Sequence, residues 1–123
     1  MSITKVKDFH QKFGQPAGMT DQLSGSKEVQ KFRLDLLQEE LTELRDALDA
    51  GDRVAAFDAL LDLAYVTYGT ALYMGIMPPQ WESGMIKVHM CNMAKVRVEG
   101  IEKIQKPEGW TGPEARLKEI LKW

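Results

Sequence analysis

Cysteine is almost missing from this chain. Cys91 is the single one in 123 residues, so an internal disulfide is excluded and Cys91 reads as a packing residue. An excess of either charge is missing too. Sixteen Lys and Arg stand against eighteen Asp and Glu, giving a net charge of −2 and a pI near 5.7, which offers no broad attraction to a polyanion and argues against polymeric DNA or RNA as a partner. The opening MSITKVKDFHQKF has no continuous apolar run and no small-residue cleavage site, so no secretory signal is expected and the cytoplasm is the default compartment. No internal repeat and no low-complexity run breaks the chain, which reads as one domain over residues 1–123.

The most informative absence is local. From Val54 to Ile86 there is no Lys or Arg. Within this stretch VAAFDALLDLAYVTYGTALYM, Val54 to Met74, is apolar on nearly every side for about six helical turns, yet it carries Asp58 and Asp62 one turn apart. Two Asp near one end, each adverse by roughly 2.5–3.5 kcal/mol at mid-bilayer, argue against a membrane span. A buried carboxylate without a partner protonates or finds a cation. The expectation is a central helix of a soluble all-α bundle of four to five antiparallel helices, with a site built on it.

Around that helix, Ile3, Val6, Phe9 and Phe13 are spaced as a short amphipathic helix ending at Gly14. Gly14 to Ser26 is a loop longer than a plain connection needs, either a lid over a site or slack between helices. Ser26 is placed to cap a helix from Lys27 to about Ala50, with Gly51 beyond its end. On that helix Val29, Phe32 and Leu36 form one apolar row, and Leu37, Leu41, Leu44 and Leu48 another. Glu40 and Glu43 continue the first row, inside the apolar arc, while Glu39 sits at its border.

Two consecutive helices joined by a short turn at Gly51-Asp52 are antiparallel neighbours. Each places two carboxylates one turn apart in apolar surface, so Glu40, Glu43, Asp58 and Asp62 are expected to meet at similar height. Four acids without basic partners suit a hard divalent cation, Mg²⁺ or Mn²⁺, which takes a few carboxylates plus substrate phosphates. Zinc is disfavoured, because His89 and Cys91 point different ways on any helix and no second thiol exists.

After the stop at Gly75 and the restart at Pro78-Pro79, a helix is expected from Trp81 to about Val98, with Met85, His89, Asn92 and Val96 on one face and Lys95 on its shoulder. His89 reads as a satisfied core histidine or as a ligand contact. Lys106 to Pro113 reads as an ordered loop, with Trp110 as its packing anchor or as a stacking surface for a base. Pro113 opens a last short helix carrying Leu117, Ile120 and Leu121.

The order of these segments is similar to a known family. Glu39-Glu40-Leu41-Thr42-Glu43 matches the EExxE motif of the all-α nucleoside triphosphate pyrophosphohydrolases, the MazG-like superfamily that includes phosphoribosyl-ATP pyrophosphohydrolases and dimeric dUTPases. DALLDLAYVTYGTALYMGI from Asp58, VHMCNMAKV from Val88 and KPEGWTGPEARLKEIL from Lys106 extend the likeness from about Phe32 to Leu121, the last stretch resembling the tail of small, often phage-encoded members. One departure stands out: the family's second motif is usually ExxD, whereas Ala59 lies three before Asp62, so Asp58 takes the place of the fourth acid.

The resemblance implies hydrolysis of a nucleoside triphosphate, in the first instance a deoxynucleotide, to the monophosphate and pyrophosphate. It implies Mg²⁺, with Mn²⁺ as substitute, held by Glu40, Glu43, Asp58 and Asp62, and Glu39 orienting or deprotonating the attacking water. Asn92 and Lys95 would meet the nucleotide. It also implies a homodimer or homotetramer with shared sites, in the cytoplasm, or the host cytoplasm for a phage-encoded chain. Seven Met and the all-round apolar central helix also point to subunit contact, expected through Tyr65, Tyr68, Leu72 and Met74 or the opposite face. The alternative is a non-catalytic helical module that binds nucleotide, metal or a partner helix.

Overall fold

The computed structural model describes residues 2–122. These form five helices: α1 (Ser2–Lys12), α2 (Lys27–Asp49), α3 (Arg53–Tyr73), α4 (Pro78–Met93) and α5 (Glu114–Leu121). The one β-type pairing among them is an isolated antiparallel bridge between Val96 and Gln105, so the fold is all-α, as expected. Among the described residues no single helix is long and apolar enough to cross a membrane. The chain divides into two compact units, one ending at Pro78 and one starting at Pro79.

In the first unit α2 and α3 run against each other, and α1 lies on α3. The Ser26 side chain caps α2 by accepting from the Val29 N–H at 3.2 Å. Gly51, at φ +69°, ends it: the Gly51 N–H donates to Leu48 O at 3.1 Å and the Asp52 N–H to Ala47 O at 2.9 Å, closing the last turn with a left-handed residue that costs glycine nothing. Asp52 then caps α3, its carboxylate accepting from the Ala55 N–H at 3.0 Å. Two residues thus stop one helix and start the next, which forces the antiparallel pairing.

The Gly14 to Ser26 segment is not slack. Gln22 N–H donates to Tyr73 O at 2.7 Å and Gln15 N–H to His10 O at 2.8 Å, while the Asp21 carboxylate accepts from the Leu23 and Ser24 N–H groups, both at 2.9 Å. Gly75 (φ +83°) lets it lie against the end of α3, because a Cβ there would stand 2.7 Å from the Thr20 carbonyl carbon.

The face of α1 differs from the expected one. Ile3, Val6 and His10 are buried, whereas Phe9, edge-on to Tyr65, is half-buried and Phe13 is exposed. Both sets have helical spacing, and contact with α3 selects the one carrying the histidine. The His10 Nδ1–H donates to Pro16 O at 2.6 Å, which satisfies the buried ring.

Helix α4, which starts at the boundary and leads into the second unit, runs from Pro78 to Met93, not from Trp81 to near Val98. Val96 and Gln105 exchange N–H···O bonds of 2.9 and 2.8 Å, and extended backbone at Val96 cannot continue a helix. Trp110 anchors the following loop, its indole Nε1–H donating to Cys91 O at 2.7 Å. Gln80 reaches the end of α5, donating to Ile120 O at 3.2 Å.

Candidate metal centre

Three of the expected acids converge. Glu40 and Glu43 on α2 and Asp62 on α3 each offer a carboxylate oxygen, and these oxygens all lie within 4.8 Å of one another. The i, i+3 spacing puts both glutamates on the face that packs on α3, and the tight Gly51-Asp52 turn folds Asp62 back beside them. The described ion pairs, Lys31–Asp35 at 2.6 Å and Arg116–Glu119 at 3.2 Å, lie elsewhere.

Desolvation and charge repulsion both act on these groups. Burial pushes the Glu40 carboxyl up to about 7, helped by a hydrogen bond to Glu43 and by the charges of Asp62, Glu43 and Glu39. Burial also raises Asp62, followed by the charges of Asp58 and Glu43. Glu40 Oε2 is buried without a hydrogen-bond partner. A buried, unpartnered carboxylate oxygen inside a cluster of acids is the environment that a cation completes, so the donor set fits a hard divalent ion with oxygen ligands.

Asp58 does not join the three. It is exposed, one turn before Asp62, and reaches the cluster through its field on Asp62. Glu39, also exposed, acts in the same way on Glu40.

The remaining expected residues belong to the second unit. His89 and Asn92 are exposed on α4, so His89 is no core histidine. The Lys95 ammonium stands 5.3 Å and that of Lys106 5.0 Å from the centroid of the Trp110 ring, and Trp110 with Lys87, Met90 and Ala94 lines an open cleft of about 400 Å³. The packing-anchor reading of Trp110 is met by its bond to Cys91.

Sequence reasoning missed Arg33. It lies at 4% exposure between α2 and α3, where its Nε–H donates to Thr70 Oγ1 at 3.1 Å and its Nη2–H to Val66 O at 2.9 Å, with the Tyr73 ring 4.7 Å away. The signal was present, since Arg33 occupies the same helical row as Val29, Leu36 and Glu40.

Comparison with known proteins follows the same stretch of chain. The family model for phosphoribosyl-ATP pyrophosphohydrolase matches residues 6–91, more than half of the chain and all of the acid cluster. An uncharacterized protein of Acanthamoeba polyphaga mimivirus is 36% identical over 74 residues, covering 58% of this chain. The matched stretch spans only 30% of that viral protein's length.

Proposed function

From the premise that the chain belongs to the phosphoribosyl-ATP pyrophosphohydrolase family, we propose that it hydrolyses a nucleoside triphosphate, in the first instance a deoxynucleotide, to the monophosphate and pyrophosphate. Water attacks the α-phosphorus, the bond to the bridging α–β oxygen breaks, and pyrophosphate leaves. The family implies a pyrophosphohydrolase type of enzyme. The observation that carries it is the buried, unpartnered Glu40 Oε2 within the trio of Glu40, Glu43 and Asp62.

In this reading Glu40, Glu43 and Asp62 hold Mg²⁺ or, in its place, Mn²⁺. The ion, when bound, neutralises charge on the phosphate oxygens and acidifies water. The chain's own groups do the rest. Glu39, exposed beside the trio, orients the attacking water and accepts its proton. Asp58 keeps the local potential negative, which favours cation entry. Lys95 and Asn92 are proposed as nucleotide contacts.

Assembly as a homodimer or homotetramer belongs to the same proposal. Within one chain Val54, Phe57, Leu60, Leu61, Leu41 and Leu48 are all at least 44% exposed, an apolar surface on α2 and α3 that association would cover. Leu72, expected at the interface, is instead fully buried in its own subunit; the contact shifts to the other face of α3. Polymeric nucleic acid and membrane are not partners in this reading, and its compartment is the cytoplasm.

The test is pyrophosphate release with Mg²⁺ across the common NTPs and dNTPs, with Glu43→Gln as control. Release that depends on Glu43 is the expected result. No release from any nucleotide favours the competing non-catalytic module, which draws on Ala59 standing where the usual motif has its glutamate.

A further inference from the structure

A buried guanidinium with no acid beside it needs a reason. Arg33 is held by neutral dipoles and a ring, and the described ion pairs do not include it. Arginine presents its donors in a fixed planar fork, so satisfying two of them fixes where the helix carrying Arg33 can sit along its neighbour. The acceptors are Val66 O and Thr70 Oγ1 on α3, one and two turns beyond Asp62 on the same face. The Val66 carbonyl also accepts from Thr70 Oγ1 at 2.8 Å, so the fork closes on a preset pair of oxygens.

Gly69 leaves room for this approach. A Cβ there would stand 2.7 Å from Arg33 Nη2 and 2.7 Å from His10 Nε2. On α2 the fork lies two turns before Glu40. Sliding α2 by one residue moves its side chains about 1.5 Å along the axis and turns them by about 100°, enough to carry Glu40 and Glu43 off Asp62. Apolar neighbours such as Ala47 and Ala56 resist such a slip weakly, since they carry no directional bond. The charges acting on Glu40 are those of Asp62, Glu43 and Glu39, so Arg33 acts by placement and not by its field.

We propose that Arg33 is a positioning residue, a register lock whose hydrogen bonds to α3 hold Glu40 and Glu43 opposite Asp62. This rests on reading that trio as the metal centre. Arg33→Met keeps the volume, and Val66 O retains its bond from Thr70 Oγ1 while the Tyr73 hydroxyl gives up its contact with Arg33. The variant is therefore expected to fold.

The experiment reads register and metal separately. Spin labels at exposed Gln38 on α2 and Thr67 on α3, in a Cys91→Ala background diluted with unlabelled chain, report helix register without metal; calorimetry with Mn²⁺ alone reports the site. The expected result is one narrow label distance in the parent protein, a broadened or shifted one in Arg33→Met, and Mn²⁺ affinity down at least tenfold, with Arg33→Lys intermediate on both. Thr70→Val, which removes one acceptor, is expected to move both readouts in the same direction and serves if Arg33→Met fails to fold. An unchanged label distance in a folded Arg33→Met, or a changed distance with parental Mn²⁺ affinity, overturns the proposal. If the parent protein binds no Mn²⁺, the functional reading fails, and with it the site that Arg33 is said to position; the label distances then judge the lock by itself.

Discussion

Glu40 on α2 and Asp62 on α3 bring carboxylate oxygens within 4.8 Å of each other, with no basic side chain between Val54 and Ile86 to balance them. Without a cation that closeness is a cost carried by the folded state, and with one it becomes a binding site. Five outcomes are expected from this arrangement and its surroundings.

Glu43→Gln and Asp62→Asn should each lower pyrophosphate release by about a hundredfold or more, equivalent to roughly 3 kcal/mol of barrier, while circular dichroism shows an intact helical fold. Removing one of several converging charges relieves repulsion in the metal-free protein. Its melting temperature should therefore hold or rise. Parental turnover in either variant would dismiss the acids as ligands.

Metal binding and metal-free stability should respond to pH in opposite directions. Glu40 in the folded protein titrates at about 7, above its ordinary 4.5, so the folded state binds this proton more tightly than the unfolded chain. The stability it contributes is complete below pH 4.5 and is lost as pH rises through about 7. Mg²⁺ must displace that proton, so its affinity should climb about tenfold per pH unit below 7 and level off above. Melts and calorimetry from pH 5 to 9 check both, and Glu40→Gln should flatten the stability profile.

Asp58→Asn separates a ligand from a neighbouring charge. Because Asp58 is exposed and raises Asp62 only through its field, the variant should still bind Mg²⁺, a few-fold more weakly. The rise in melting temperature with Mg²⁺ should shrink but persist. Complete loss of that rise would make Asp58 a direct ligand.

Trp110→Phe tests the second unit. It removes the bond to Cys91 O and should destabilise by about 1 kcal/mol, the usual net value of one such bond. The ring that faces Lys95 and Lys106 is kept, so KM should change little. A large rise in KM with unchanged stability would point to the indole nitrogen contacting nucleotide.

Leu61→Arg and Leu72→Arg should fail differently. Leu61 is 53% exposed in the single chain and Leu72 is at 0%. An arginine at 61 should split the proposed oligomer into folded subunits, whereas one at 72 buries an unpaired charge and should unfold the chain, costing roughly 4 kcal/mol or more. Light scattering with circular dichroism distinguishes the two. A folded Leu61→Arg oligomer of parental size would place the interface elsewhere.

The sequence by itself determined the helical class, most helix ends and three of the acids. Ser26, Gly51 and Pro113 are local signals, acting through caps and a left-handed turn that need no distant partner, and Glu40, Glu43 and Asp62 were legible because a charge repeated inside an apolar row breaks a periodic pattern. Tertiary contact decided what periodicity leaves degenerate. Phe9 and Phe13 match the helical stripe as well as His10 does, and only packing on α3 sends His10 inward. Leu72 and Leu61 look alike on an all-apolar helix, yet one is fully buried, with the loop at Gly18 beside it, and the other is left uncovered. Asp58 and Asp62 are one turn apart in any helix, and the packing of α2 on α3 brings just the second to Glu40 and Glu43. Arg33 needed the fold most, because its acceptors, Val66 O and Thr70 Oγ1, come within reach only when the two helices are already side by side.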